Sequence, residues 1–152
     1  MTEVWFYHLT RQPLERVLPA LLEKTLQRGW RAVVQSGSEE RIAFLDDLLW
    51  TYADSSFLAH GTARDGDAEM MPVFLTVDAA NPNGAQARFM VDGADVAAIG
   101  ADSSYERVLI LFDGNDDDQL AAARANWKRL KDAGLAVSYW QQAETGGWDK
   151  KA

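Results

Sequence analysis

The chain has no cysteine, which excludes a disulfide framework, a zinc–thiolate centre and a thiol nucleophile together. It has no apolar run near the roughly 18 residues that span a bilayer, and Met1 to Trp5 lack a basic leader ahead of an apolar stretch, so no secretory signal is expected. Positive charge is scarce. Fifteen Lys and Arg face 23 Asp and Glu, a formal charge of −8, and the isoelectric point falls near 4.7. That balance argues against general affinity for a nucleic-acid backbone, which rewards clustered cations. Histidine is limited to His8 and His60. What is present suffices for one ordinary core: 152 residues, 47% of them hydrophobic, predict a single domain over 1–152 in a reducing cytoplasm.

The hydrophobic pattern alternates between strand and helix. Val4 to Leu9 is short, aromatic and β-prone. Thr10 is a candidate cap and Pro13 suits a first helical turn. Leu14, Val17, Leu18, Leu21, Leu22 and Leu26 then recur at helical spacing and stop near Gly29. Pro19 inside that stretch predicts a kink or a start later than Thr10. A second strand is read over 30–35, and a second helix from Ser38 to Trp50. The stretch 51–71 reads as an ordered loop with at most a short strand near Phe57 and Leu58. Strands follow at 73–77 and 87–91, around the turn cluster Asn81-Pro82-Asn83-Gly84. A small-residue loop with room for a short helix covers 92–104. Strand 107–112, helix 117–133 with Gly134 as its stop, and strand 136–141 complete the chain. Such alternation predicts an α/β fold: one doubly wound, mostly parallel sheet with helices on both faces.

A doubly wound sheet invites a nucleotide, yet the phosphate cradle is missing. Leu9-Thr10-Arg11-Gln12-Pro13, after the first strand, contains no glycine, and Ser36-Gly37-Ser38 after the second contains one. No dinucleotide fingerprint and no P-loop occurs, so no cofactor is expected. The acidic run 113–118 resembles a cation loop only superficially. Counted from Asp113, the sixth and twelfth places of an EF-hand hold Asp118 and Arg124 instead of Gly and an acid. These carboxylates read as the N-terminal complement of the next helix. A catalytic alternative, a small hydrolase or transferase using His60 with Asp46 or Ser56, lacks a nucleophile elbow and a marked oxyanion hole.

The last helix carries the most information. Arg124, Lys128 and Lys131 recur at i, i+4 and i+7 on one helical face, beside the apolar stripe Leu120, Ala123, Trp127 and Leu130. A basic stripe bordered by an indole suits an acidic peptide with an apolar anchor. The competing reading is a solvated face over a core tryptophan, and Trp50 at the end of the second helix is equally ambiguous.

Phe6-Tyr7-His8-Leu9, Leu45-Asp46-Asp47-Leu48-Leu49-Trp50, Ser56-Phe57-Leu58-Ala59-His60, and Ala123 to Lys128 followed by Ala133-Gly134 resemble the chi subunit of bacterial DNA polymerase III holoenzyme. The likeness covers nearly the whole chain in the same element order, and the central arrangement from Leu45 to His60 is its specific part. It implies a non-catalytic accessory subunit of the clamp-loader assembly, with polymerase activity belonging to the holoenzyme. It also implies two partners: the psi subunit, and the acidic, phenylalanine-ended tail of single-stranded DNA-binding protein. By position, the tail site would comprise Trp50, Arg124, Trp127 and Lys128, with both indoles flanking the apolar side chain. One departure stands out: a lysine of better-known members, one turn before the arginine, is Leu120 here, so either that cationic contact is missing or Lys131 supplies it.

Overall fold

The computed structural model describes residues 2–52, 59–97, 99–100, 103–145 and 147–152. Eight strands form one sheet: β1 (Glu3–Leu9), β2 (Ala32–Ser36), β3 (Gly61–Thr62), β4 (Val73–Thr76), β5 (Ala87–Val91), β6 (Arg107–Asp113), β7 (Ala136–Gln142) and β8 (Trp148–Lys150). Their spatial order is β3-β4-β2-β5-β6-β1-β7-β8. Every pairing is parallel except the final β7–β8 hairpin. Among the described residues three α-helices accompany it: α1 (Leu14–Gln27), α2 (Glu39–Thr51) and α3 (Asp117–Asp132).

The winding direction decides which face each connection covers. From β1 to β2 and from β2 to β3 the chain moves toward the β3 edge, and from β3 onward it moves back toward β8. Right-handed crossovers place these two movements on opposite faces. Accordingly α1 and α2 cover the first face, burying Val17, Leu18, Leu22, Ile42, Leu45 and Leu49 against Tyr7, Val34, Phe89 and Leu111. On the second face, Ala123 and Leu130 of α3 pack on Val4, Phe6, Ile110 and Phe112, joined by Val96 and Ile99 from the β5–β6 connection. Arg129 holds that connection through the carbonyls of Val96 (2.7 Å) and Ile99 (3.2 Å).

Among the described residues no α-helix covers the second face beside β2 and β4; there Val33 and Phe74 pack with Ala85 and Ala68, and a buried arginine on β5 adjoins them. Arg88 is 1% exposed. Its guanidinium donates to Gln35 Oε1, to the carbonyls of Asp78 and Ala80, and to the Tyr105 hydroxyl. It thereby ties the β4–β5 connection down on the sheet. Over β7 and β8 the first face likewise has no helix among the described residues. There Trp5 stacks on Trp140 with ring centroids 5.2 Å apart, and Arg107 and Lys150 lie over those two rings. Cationic stems thus shield apolar surface that would otherwise meet water.

Several boundaries differ from the sequence reading. Thr10 does not cap α1; its hydroxyl donates to the Gln142 carbonyl at 3.0 Å. Pro13 takes the cap position without a side-chain bond, and α1 begins at Leu14 and runs through Pro19. The helix starts later than Thr10 suggests, yet Pro19 still falls inside it, at its sixth residue. Ser38 does cap α2, accepting from Arg41 N at 3.2 Å. The 51–71 stretch contains β3 and two single-turn 3-10 segments at 63–65 and 68–70. The strand expected at Phe57 and Leu58 lies outside the described residues. Over 92–104 no helix forms among the described residues. No described helix is long and apolar enough to cross a membrane.

Candidate functional site: the outer face of the last helix

Asp116 starts α3, its Oδ1 accepting from the amides of Asp118 (3.0 Å) and Gln119 (3.1 Å). The acidic run is therefore a helix cap with dipole-complementing acids behind it, and no metal-binding group of three or more ligands occurs among the described residues. At the other end Gly134 adopts φ +89°, the left-handed conformation that only glycine takes without strain. Between these stops, Ala123 and Leu130 face inward, and Arg124, Lys128 and Lys131 are exposed.

Trp127 lies at the border between the two faces. Its indole meets Phe6 of β1 edge-on at 5.5 Å and Tyr139 of β7 at 5.8 Å. The Tyr139 hydroxyl sits 2.6 Å from His8 Nδ1, and the His8 ring stacks on Phe112 at 5.0 Å. Gly114 makes room for this imidazole, since a Cβ there would fall 1.9 Å from His8 Nε2. The result is an aromatic floor built from β1, β6, β7 and α3, with Arg124 beside it. Arg124 has no hydrogen-bond or ion-pair partner among the described residues, but its charge is felt by the floor. Burial lowers the His8 pKa, Arg124 lowers it further, and Asp113 opposes both. Burial raises that of Tyr139, with Arg124 pulling the other way. Lys128 reaches Asp132 at 3.1 Å. Both side chains are exposed, so the pair is worth about 0.3–0.5 kcal/mol and a competing anion can displace it.

Trp50 does not join this group. It ends α2 on the first face, whereas Arg124, Trp127 and Lys128 ride on α3 over the second. The sheet lies between the two indoles, so the notch with two tryptophan walls is not formed. The reason is topological, because α2 and α3 belong to crossovers of opposite direction. Trp50 is 52% exposed and packs against His60, ring centroids 4.5 Å apart. His60 and Asp46 do meet: Nε2 lies 3.0 Å from Asp46 Oδ1 and 3.1 Å from its carbonyl oxygen. The imidazole is wholly buried, so it presents no atom to a substrate and instead joins α2 to the segment entering β3. Ser56 lies outside the described residues.

A recess of about 330 Å³ opens where β1 and β6 end side by side. Doubly wound proteins bind nucleotides at such a reversal of winding. Here the amides of Arg11 and Gln12 already donate to Gln142 Oε1 at 3.0 and 2.8 Å. Arg41, the cation on the opposite wall, is bound by both Asp92 and Glu15. The groups a phosphate would use are engaged internally.

Comparison with known proteins gives the context. A family profile described as DNA polymerase III chi subunit, HolC, matches residues 1–138. The chain belongs to the DNA polymerase III chi subunit family. One curated relative, "Probable DNA polymerase III subunit chi" of Rickettsia prowazekii (strain Madrid E), is 25% identical over 117 residues, covering 74% of this chain and 71% of that protein. Within this chi-family chain the profile's match over 1–138 takes in His8, Arg124, Trp127 and Lys128. Tyr139 and β8 fall just beyond it. Tyr139 and His8 are the members of the aromatic floor that sequence reasoning missed. Their signal was the register itself, since β1 pairs with β7 and sets Phe6 opposite Tyr139, but strand adjacency is not written in hydrophobic period.

Proposed function

We propose that this chain is a non-catalytic accessory subunit of the DNA polymerase III clamp-loader assembly. It captures the acidic C-terminal tail of single-stranded DNA-binding protein on α3 and bridges it to the clamp loader through the psi subunit. Family membership supplies the replication context. The observation that carries the tail site is Arg124, an exposed guanidinium with no partner among the described residues, beside the floor of Trp127, Tyr139 and His8. A guanidinium matches a carboxylate as a two-pronged fork. In this reading Arg124 takes the terminal carboxylate and Lys128 a second acid. Trp127 packs the apolar side chain, a role it performs without Trp50. Charge-assisted bonds of about 1.5–3 kcal/mol each bring a short peptide into the micromolar range.

The deciding experiment is calorimetric titration of an acidic, Phe-ended peptide into wild type and Arg124→Ala. The variant is expected to lose measurable binding while its unfolding free energy changes by no more than about 0.5 kcal/mol, as for exposed surface substitutions generally. Undiminished affinity would remove Arg124 from the site.

A further inference from the structure

On the first face, where the strands begin, Glu3, Arg28, Trp30, Glu106, Arg107 and Ala136 enclose an open recess of about 320 Å³. Arg28 caps the C-terminus of α1 and Arg107 opens β6. Both guanidinium groups are held by indole rings. Arg28 Cζ is 4.4 Å from the Trp30 ring centroid, and Arg107 Cζ is 3.7 Å from that of Trp5 and 5.4 Å from that of Trp30. Trp30 is thus within cation–π reach of both, which fixes two like charges as neighbours.

The acids nearby answer this charge incompletely. Glu3 approaches Arg107 only to 3.8 Å, and its side chain is half exposed. Arg107 Nε is buried without a hydrogen-bond partner, and the Arg28 guanidinium makes no hydrogen bond or ion pair among the described residues. Arg107 also holds its proton less tightly than usual, through burial first and the Arg28 charge second, against the pull of Glu3 and Tyr7. Two forked cations with donors to spare, on half-buried ground, form a receptor for an oxyanion.

We propose that this recess binds a carboxylate of an acidic peptide segment, the anion between Arg28 and Arg107 and the apolar stem against Trp30. Carboxylate is favoured over a nucleic-acid phosphate by the remaining lining. Glu3 and Glu106 border the same recess and the whole chain carries −8. A DNA phosphodiester strand offers no backbone donor to those acids, whereas a peptide offers them N–H groups. The recess is distinct from the α3 site, on the opposite face and at the opposite end of the strands, so it stands or falls independently of Arg124.

The test follows the indole N–H resonances of uniformly nitrogen-labelled protein during titration with the capped peptide acetyl-Glu-Leu-Asp-Leu-Glu-amide. Saturable shifts of the Trp30 and Trp5 signals are expected in wild type and equally in Arg124→Ala. The apparent affinity at Trp30 should weaken at least about tenfold in Arg28→Gln, an exposed position whose change leaves the core intact, and in Arg107→Lys, which keeps the charge but loses the fork. If Arg107→Lys fails to fold, Arg28→Gln alone decides. Absence of a saturable shift at Trp30, or full affinity in Arg28→Gln, overturns the site. A larger saturable response to oligothymidylate than to the peptide overturns the choice of carboxylate.

Discussion

His8 lies where four elements converge: it ends β1 beside Tyr139 of β7, stacks on Phe112 of β6 next to Asp113, and faces the charge of Arg124 from α3. Its pKa falls below the ordinary 6.5 through burial first and Arg124 second, against the opposing pull of Asp113. The consequence has a definite sign. Between 6.5 and the lower folded value, the unfolded chain binds a proton that the folded one refuses, so stability declines as pH drops through that window. Above 6.5 both states are neutral and the term vanishes. A His8→Gln variant should therefore show a flatter acid limb than wild type. Followed by NMR, the His8 midpoint should rise toward 6.5 in Arg124→Ala. It should also rise when an acidic peptide binds, because an anion at the guanidinium cancels its field. A midpoint unmoved by Arg124→Ala would mean that the arginine does not stand over this imidazole.

Among the elements, α3 carries Arg124, Trp127 and Lys128 of the proposed tail site, and its first turn depends on one side chain. Asp116→Ala leaves the amides of Asp118 and Gln119 without their acceptor. It should cost about 1 kcal/mol, within the 0.5–2 kcal/mol range of cap removals, read as a lower urea midpoint at unchanged m-value. No loss at all would mean that another group caps the helix. This element was legible in the sequence almost residue for residue, because a cap, a 3.6-residue stripe and a terminal glycine are all local signals. The exposed cations Arg124, Lys128 and Lys131 were legible for the same reason. What was not legible was relative placement. Trp50 was paired with Trp127 by the family resemblance alone, and helical period offered no check on it, because period does not say which side of a sheet a helix covers. That depends on the order β3-β4-β2-β5-β6-β1-β7-β8, a product of long-range pairing. The two shortest strands escaped for a simpler reason: Gly61–Thr62 and Trp148–Lys150 are too brief to show any period. The unhelical patches filled by Arg88 and by the Trp5–Trp140 stack were equally hidden, since both depend on what the winding leaves uncovered.

For the whole molecule, the charge of −8 and the cations of α3 act on different ranges. An approaching acidic tail first meets the field of the entire chain, which repels it. Only within about one Debye length, roughly 10 Å at 0.1 M salt, does it come under the local pull of Arg124, Lys128 and Lys131. Association is governed by the long-range field and dissociation by the contacts. Raising salt from about 0.01 M to about 0.1 M contracts the Debye length from roughly 30 Å to 10 Å and removes most of the repulsion, so the association rate constant should increase. The exposed contacts loosen as well, and because they are close-range pairs of full charges the dissociation rate should increase by the larger factor. Equilibrium affinity then weakens with salt while both rate constants climb. Stopped-flow measurements with a labelled acidic peptide separate the two. An association rate that falls with salt would show that the tail is steered in by attraction, and that the basic face of α3 outweighs the acidic remainder of the molecule even at a distance.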